Sequence, residues 1–363
     1  MMEPPQLIKP SEWPREAALP RLGLLPADGF NLDELLAIKQ QEKVPVHVVF
    51  PVRSSREAEN LEQLLAILQP LSGRLIDQIW VAFGGQRLGR LSRLTQADPR
   101  LRIFPARQLL PPDQREAPVG KGAVMRALLY HLVTRAGVTH PRAVIEFLDA
   151  DIRPQYFHPD WVVGPVGAVL RHQQVEAAKI VYQRPRGGRL NTMFRSLVAL
   201  CPHPAIQALQ KLVYLLSGEM AGTLRYWTRQ SFKSGYGVET LILLSFALDL
   251  LQLSPGTADL DHLVQVYVGQ MDHRHSPLTS TPRRNGLDQM AGNVFHSLLE
   301  ALAKADLGPG FPENFAPKLS IPLHEQGKAE RLGWLQVTLG DLSLPPLGAC
   351  LEVRTALSEA SPE

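Results

Sequence analysis

Short apolar, β-branched runs alternate with helix-period segments along the N-terminal part of this chain, and that alternation narrows the folds open to it. VPVHVVFP, residues 44–51, reads as a buried strand stopped by Pro51. EAENLEQLLAIL follows as an amphipathic helix, with Leu61, Leu64, Leu65 and Leu68 on one stripe. IDQIWVAF, residues 76–83, reads as a second strand that breaks at Gly84-Gly85, and a short third run spans 101–105. After a Pro-, Gln- and Arg-rich loop, Gly120-Lys121-Gly122 opens the helix AVMRALLYHLVTRA, and the strand RAVIEFLDAD follows at once. Strand–helix alternation of this kind predicts an α/β fold, a mostly parallel sheet with helices on both faces.

Beyond Asp151 the pattern loosens into a strand at 175–182, a Gly-Arg loop and helices up to Leu216 and over 238–251. A strand at 263–268, a His-rich turn and a long helix at about 287–303 follow. The expected organisation is an N-terminal arm (1–43), a nucleotide-sugar-binding region (44–182), an acceptor-binding and metal-completing region (183–303) and a packed C-terminal extension (304–363). A net charge of +3 over 363 residues excludes a generic nucleic-acid binder. Cys201 and Cys350 are too few for a disulfide framework and read as reduced thiols of a cytoplasmic protein. The Pro-rich N-terminus lacks the apolar core of a signal peptide, and the apolar run 241–253 is too short to span a bilayer, so no membrane partner is expected.

The sharpest chemical signal is IEFLDADIRP, in which period-2 geometry predicts that Asp149 and Asp151 point the same way from the strand's C-terminal edge. Ligands of open α/β sheets gather at that edge. Two carboxylates there repel unless a hard cation, Mg²⁺ or Mn²⁺, sits by them with substrate phosphates. A bare DxD is more often only a strand-end turn. Gly120-Lys121-Gly122 at a helix start could let backbone N–H groups and a lysine meet a phosphate, although alone it reads as an ordinary helix opening. His273-Arg274-His275 after another strand offers imidazole to Mn²⁺ or Zn²⁺, and less readily to Mg²⁺, without deciding which His points inward. Arg184, Arg186 and Arg189 crowd one loop, as a solvated turn or as a clamp for an acidic acceptor. Glu219 and Glu239, each beside a Gly-containing turn, read singly as structural.

Taken in order, PVGKG, FLDAD, WVVGPV, GGR, LSGE, GYGVE and DHRHSP resemble the glucosyl-3-phosphoglycerate synthases and their mannosyl-transferring relatives. These are retaining, metal-dependent glycosyltransferases of GT-A fold, made for compatible-solute and polysaccharide synthesis. The resemblance covers about residues 44–277. It implies a metal at Asp151 and His273, and donor contacts from Pro51, Lys121, Asp149 and Glu239. It further implies acceptor contacts from Gly187, Gly188, Arg189, Asn191 and His275, with the Leu216 carbonyl near the reacting centre. The implied partners are UDP- or GDP-glucose and a 3-phosphoglycerate-like acid, and a homodimer is expected. Departures from the family pattern fall at Pro51–Ser55, Phe83-Gly84-Gly85, Asn191, Met271 and His275, which leaves the base and the acid open. Two other readings compete. A sugar nucleotidyltransferase would need a Gly-rich fingerprint after the first strand, where Pro51–Arg56 stands instead. A non-catalytic nucleotide-sugar-binding protein is disfavoured by the retained Asp149, Asp151 and His273.

Overall fold

In the computed structural model, residues 24–52, 55–84, 94–95, 98–114, 120–184, 188–200, 209, 212–253, 262–272, 286–304, 318–324, 332–338 and 343–359 are described. The sheet is assembled from β1 (Leu24–Pro26), β2 (Val46–Val52), β3 (Gln78–Phe83), β4 (Leu101–Pro105), β5 (Val144–Phe147), β6 (Ala177–Gln183), β7 (Met220–Thr223) and β9 (Leu263–Gln270). Its strand order is β1-β9-β6-β7-β5-β2-β3-β4. β7 runs antiparallel to both neighbours, β5 and β6, and every other pairing in this sheet is parallel. The β2 sequence VHVVFPV is buried at all but one position, as expected of a parallel strand covered on both faces.

Helices supply that cover. On one face lie α1 (Leu32–Glu42), α2 (Ser55–Leu68) and α4 (Asp160–Arg171), with Leu35, Leu61, Leu64, Leu68 and Trp161 in a shared core. Leu65 on the α2 stripe is only partly buried. On the other face lie α3 (Lys121–Thr134), α5 (Arg189–Leu200), α6 (Leu224–Arg229), α7 (Val238–Leu253) and α8 (Leu287–Lys304). Period-2 alternation sorts β5 between the two cores: Ile145 and Phe147 join the second, Val144 the first.

The structure departs from the sequence reading in two places. The segment read as an arm enters the sheet from residue 24, because Leu24–Pro26 pairs with Gln265–Tyr267 at the β9 edge. LSGE, read as a turn, leads into β7, the reversed strand inside the sheet. The four residues of β7, Met220–Thr223, are too few for periodicity to reveal. The C-terminal extension packs in part: β12 (Ser343–Leu344) pairs with β8 (Phe232–Lys233), and Val353 of α9 (Leu351–Glu359) is buried in the α3 core. Fully buried Arg126 on α3 ties that segment down, donating to the Pro345 carbonyl at 2.9 Å. β10 (Lys318–His324) and β11 (Leu332–Thr338) form a separate antiparallel pair.

Candidate functional site

The C-terminal edge of the sheet gathers the charged residues. Gly120 and Gly122 lie where α3 presses against another backbone. A Cβ on Gly122 would stand 1.8 Å from the Lys233 carbonyl oxygen, and one on Gly120 would stand 2.4 Å from that of Ser234. The Ala123 N–H donates to the Ser234 carbonyl at 3.0 Å. This close approach sets the first turn of α3 beside the first turn of α7. Lys121 therefore meets Glu239, Nζ to Oε1 at 2.9 Å, as well as Asp149, Nζ to Oδ1 at 2.6 Å. Gly218 makes the room, since a Cβ there would sit 2.0 Å from Lys121 Nζ.

Lys121 is thus the hub of a largely buried cluster. Burial works against its charge, but Asp149, Glu239 and Glu219 outweigh that and hold its pKa well above the ordinary range. Glu219, 1% exposed, has its pKa raised to about 8 by burial first and by the Asp149 charge second, with Lys121 opposing. Its Oε2 accepts from the Tyr182 hydroxyl at 3.3 Å. Lys179 on β6, equally buried, is lowered to about 8 by burial despite the neighbouring Glu239 and Glu219 charges. Sequence reasoning missed Lys179, although a lysine inside the apolar run AAKIVYQ is the kind of signal that requires a partner. It also read Glu219 as a structural carboxylate.

The DxD geometry differs from the expectation. β5 ends at Phe147, and Asp149 and Asp151 stand in the turn beyond it, so strand alternation does not set their directions. Asp149 turns toward Lys121. The turn's far end is stapled to the end of β9: the Arg153 N–H donates to the Asp272 carbonyl at 3.1 Å, and the two side chains pair at 3.3 Å. Asp272 immediately precedes His273 in sequence, so the DxD turn and the His-containing segment leave from one junction. Met271 joins it too, its N–H donating to the Gln183 carbonyl at 2.9 Å. His273, His275 and Gly187 themselves lie outside the described residues. Pro51 sits in β2 opposite Ala82, near the same edge.

On the neighbouring side, Arg184 is held among aromatics rather than extended as a clamp. Its guanidinium lies 5.8 Å and 5.7 Å from the ring centres of Tyr182 and Tyr214, and Nη1 donates to the Tyr214 hydroxyl at 3.0 Å. Gly188 has φ of 82°, which glycine adopts without strain, and it leads into α5 at Arg189. Asn191 turns its Oδ1 to the backbone, accepting from Leu215 N–H at 2.7 Å and Leu216 N–H at 3.3 Å. Its carbonyl oxygen is therefore committed to the Leu216 loop. Lys179 Nζ holds the next peptide, donating to the Ser217 carbonyl at 2.6 Å, while Ser217 Oγ donates to Ile180 at 2.8 Å. Leu216 is pinned from both sides.

No family model matches the chain. The glucosyl-3-phosphoglycerate synthase of Mycobacterium tuberculosis is 28% identical over 310 residues, covering 80% of this chain and 85% of that protein. The crystal structure of that enzyme in complex with Mn²⁺, uridine diphosphate and phosphoglyceric acid superposes with a TM-score of 0.68 at 25% identity. That superposition covers 91% of this chain and 99% of the other. This chain has the GT-A fold. Glucosyl-3-phosphoglycerate synthases are its homologues, as the ordered motifs implied. The mannosyl-3-phosphoglycerate synthase of Rubrobacter xylanophilus shares the GT-A fold as well, with a TM-score of 0.68, 23% identity, and coverage of 90% of this chain and 97% of the other.

Proposed function

We propose that this chain transfers glucose from UDP-glucose to 3-phosphoglycerate with retention of configuration, giving glucosyl-3-phosphoglycerate. One observation carries the reading: Lys121 gathers Asp149 and Glu239 at the C-terminal sheet edge of a GT-A fold. The homologous mycobacterial enzyme holds a uridine nucleotide, which favours UDP-glucose over GDP-glucose as donor.

The donor set suits a hard divalent cation. Asp151 would supply carboxylate oxygen and His273 imidazole, and the Arg153–Asp272 contacts bring the end of β9 alongside the turn that carries Asp151. Bound there, Mg²⁺ or Mn²⁺ would neutralise the diphosphate as it leaves. In this reading Asp149 contacts the donor's ribose and Pro51 lies under the nucleotide. Lys121 orients Asp149 and Glu239 and lends positive charge near the phosphates. Glu239 holds the transferred hexose. Gly187, Gly188, Arg189, Asn191 and His275 take the acceptor, Arg189 by charge-assisted hydrogen bonds to its phosphate or carboxylate. The Leu216 carbonyl faces the reacting centre, where the acceptor hydroxyl attacks on the leaving group's own side and passes its proton to a diphosphate oxygen. We place the enzyme in the cytoplasm, as a homodimer serving compatible-solute or polysaccharide synthesis. Among the described residues no helix is long and apolar enough to cross a membrane.

The test is incubation with labelled UDP-, GDP- and ADP-glucose, with and without 3-phosphoglycerate and Mg²⁺. Glucosyl-3-phosphoglycerate is expected from UDP-glucose only when acid and metal are both present. Binding without product would favour a non-catalytic protein, and nucleotide exchange with pyrophosphate a nucleotidyltransferase. Asp151→Ala should abolish transfer, and full activity in excess EDTA would remove the metal from the reading. Arg189→Ala should raise the acceptor's KM by roughly one to two decades, the worth of a charge-assisted contact of about 1.5–3 kcal/mol. An equal change in the donor's KM would assign the loop elsewhere.

A further inference from the structure

The β2–β5 ladder ends at the pair Val49 and Phe147, yet the chain stays buried beyond it, with Ala150 2% and Ile152 0% exposed. Buried carbonyls past the end of a ladder need other donors. Helix α2 provides one. Asn60 Nδ2 donates to the Ala150 carbonyl at 2.7 Å and to the Ile152 carbonyl at 2.6 Å. Both acceptors are carbonyl oxygens, so the amide nitrogen, with its two hydrogens, must be the atom that faces them. The two carbonyls flank Asp151. Holding the Ala150–Asp151 peptide and the Ile152–Arg153 peptide restrains the two-residue stretch between them, from which the Asp151 side chain departs.

We infer that Asn60 is a positioning residue for Asp151, setting the affinity of the divalent-cation site rather than the handling of the acceptor. The inference rests on the proposed metal role of Asp151. On the other side of the turn, the Arg153–Asp272 pair ties the same segment toward His273. Asn60 and Arg153 thus brace the turn from two directions, one from the helical layer and one from β9. Groups that orient metal ligands commonly change metal affinity by about 10–100-fold when removed.

The experiment is Mn²⁺ titration of the full chain with UDP present, followed by the loss of the free Mn²⁺ electron paramagnetic resonance signal. Wild type, Asn60→Asp, Asn60→Ala and Asp151→Ala are compared, and the Tm of each is taken without metal. Asn60→Asp keeps the shape but sets carboxylate oxygen against carbonyl oxygen. It should bind Mn²⁺ about tenfold or more weakly, with the acceptor's KM within twofold of wild type. Asn60→Ala should weaken binding in the same direction, and it decides the matter should the Asp variant fail to fold. A lower Tm with wild-type Mn²⁺ affinity in the folded Asn60→Ala protein would overturn the inference, because Asn60 would then brace the fold alone. If Asp151→Ala itself retains wild-type Mn²⁺ affinity, the metal assignment falls and this inference with it.

Discussion

The two ends of the central sheet handle charge in opposite ways. At the N-terminal ends of β2 and β3, ion pairs are simple and open to water. Lys39 meets Asp77 at 2.7 Å and Arg74 meets Asp33 at 3.5 Å, with carboxylates 41% and 88% exposed. At the C-terminal edge, Asp149, Glu219 and Glu239 crowd two buried lysines, and Lys121, Lys179 and Glu219 leave their ordinary pKa ranges. Paired surface charges contribute little to stability and ask nothing of the fold. Buried carboxylates in excess of cations cost several kcal/mol to assemble, a cost more often met at sites that bind something than in a scaffold. The contrast therefore supports the proposed site at the C-terminal edge without appeal to any motif.

Breaking the hub should give the largest effect. Lys121→Ala leaves Asp149 and Glu239 facing each other without their shared cation. If the cluster serves the transition state, losing this preorganised positive charge should lower kcat/KM for glucosyl transfer by about two to three decades. Activity within threefold of wild type would mean that the charge cluster is scaffold and that the contrast between the edges has no catalytic meaning.

Next comes Lys179, the buried cation whose bond holds the Ser217 carbonyl. Lys179→Met keeps length and apolar volume while removing a charged donor worth about 1.5–3 kcal/mol. If the bond serves to aim the Leu216 peptide, kcat should fall about tenfold or more with both KM values nearly unchanged. A variant that loses only Tm, with kcat preserved, would reduce Lys179 to a packing residue.

These residues also mark how far sequence carries the argument. The parallel strands and their helices were legible because buried strands are continuously apolar and α2 keeps a helical stripe. Asp149, Asp151, Lys121 and Glu239 were legible as an ordered set of motifs, and three of the four meet at one point. Three-dimensional pairings were not. Gly120 and Gly122 read alone as an ordinary helix opening, and nothing local shows that their close neighbours are backbone atoms more than a hundred positions away. Asn60 sits ninety residues from the turn it holds. β7 is too short for its alternation to register, and the antiparallel insertion it makes has no local signature.

The pH dependence of stability separates the two edges further, by a smaller amount. Glu219 has its pKa raised from 4.5 to about 8 on folding. A raised pKa means the folded chain binds the proton more tightly. The Glu219 contribution is thus full below pH 4.5 and is lost as pH rises toward 8. Glu219→Gln, which stays neutral throughout, should flatten that slope and so gain stability relative to wild type at pH 9 compared with pH 5. Thermal unfolding without metal at both values measures it. A parallel shift of the two proteins across the whole range would show that Glu219 ionises as freely as an exposed carboxylate.

The smallest effect belongs to the open edge, and it is the control on which the contrast depends. Lys39 Nζ pairs with Asp77 and donates to the Arg74 carbonyl at 2.9 Å, with the Asp77 carboxylate in contact with water. Lys39→Met keeps the chain's length on α1 and removes only the ammonium. An exposed pair of this kind contributes about 1 kcal/mol or less, and screening shortens its reach to about 3 Å in 1 M salt. Tm should therefore fall by only a few degrees in dilute buffer and by less in 1 M NaCl. The rate of glucosyl transfer should stay within twofold, because the substitution lies at the opposite end of β2 and β3 from Lys121 and Asp149. A tenfold drop in kcat with unchanged Tm would show that the two edges are coupled through the strands, and the division of labour drawn between them would fail.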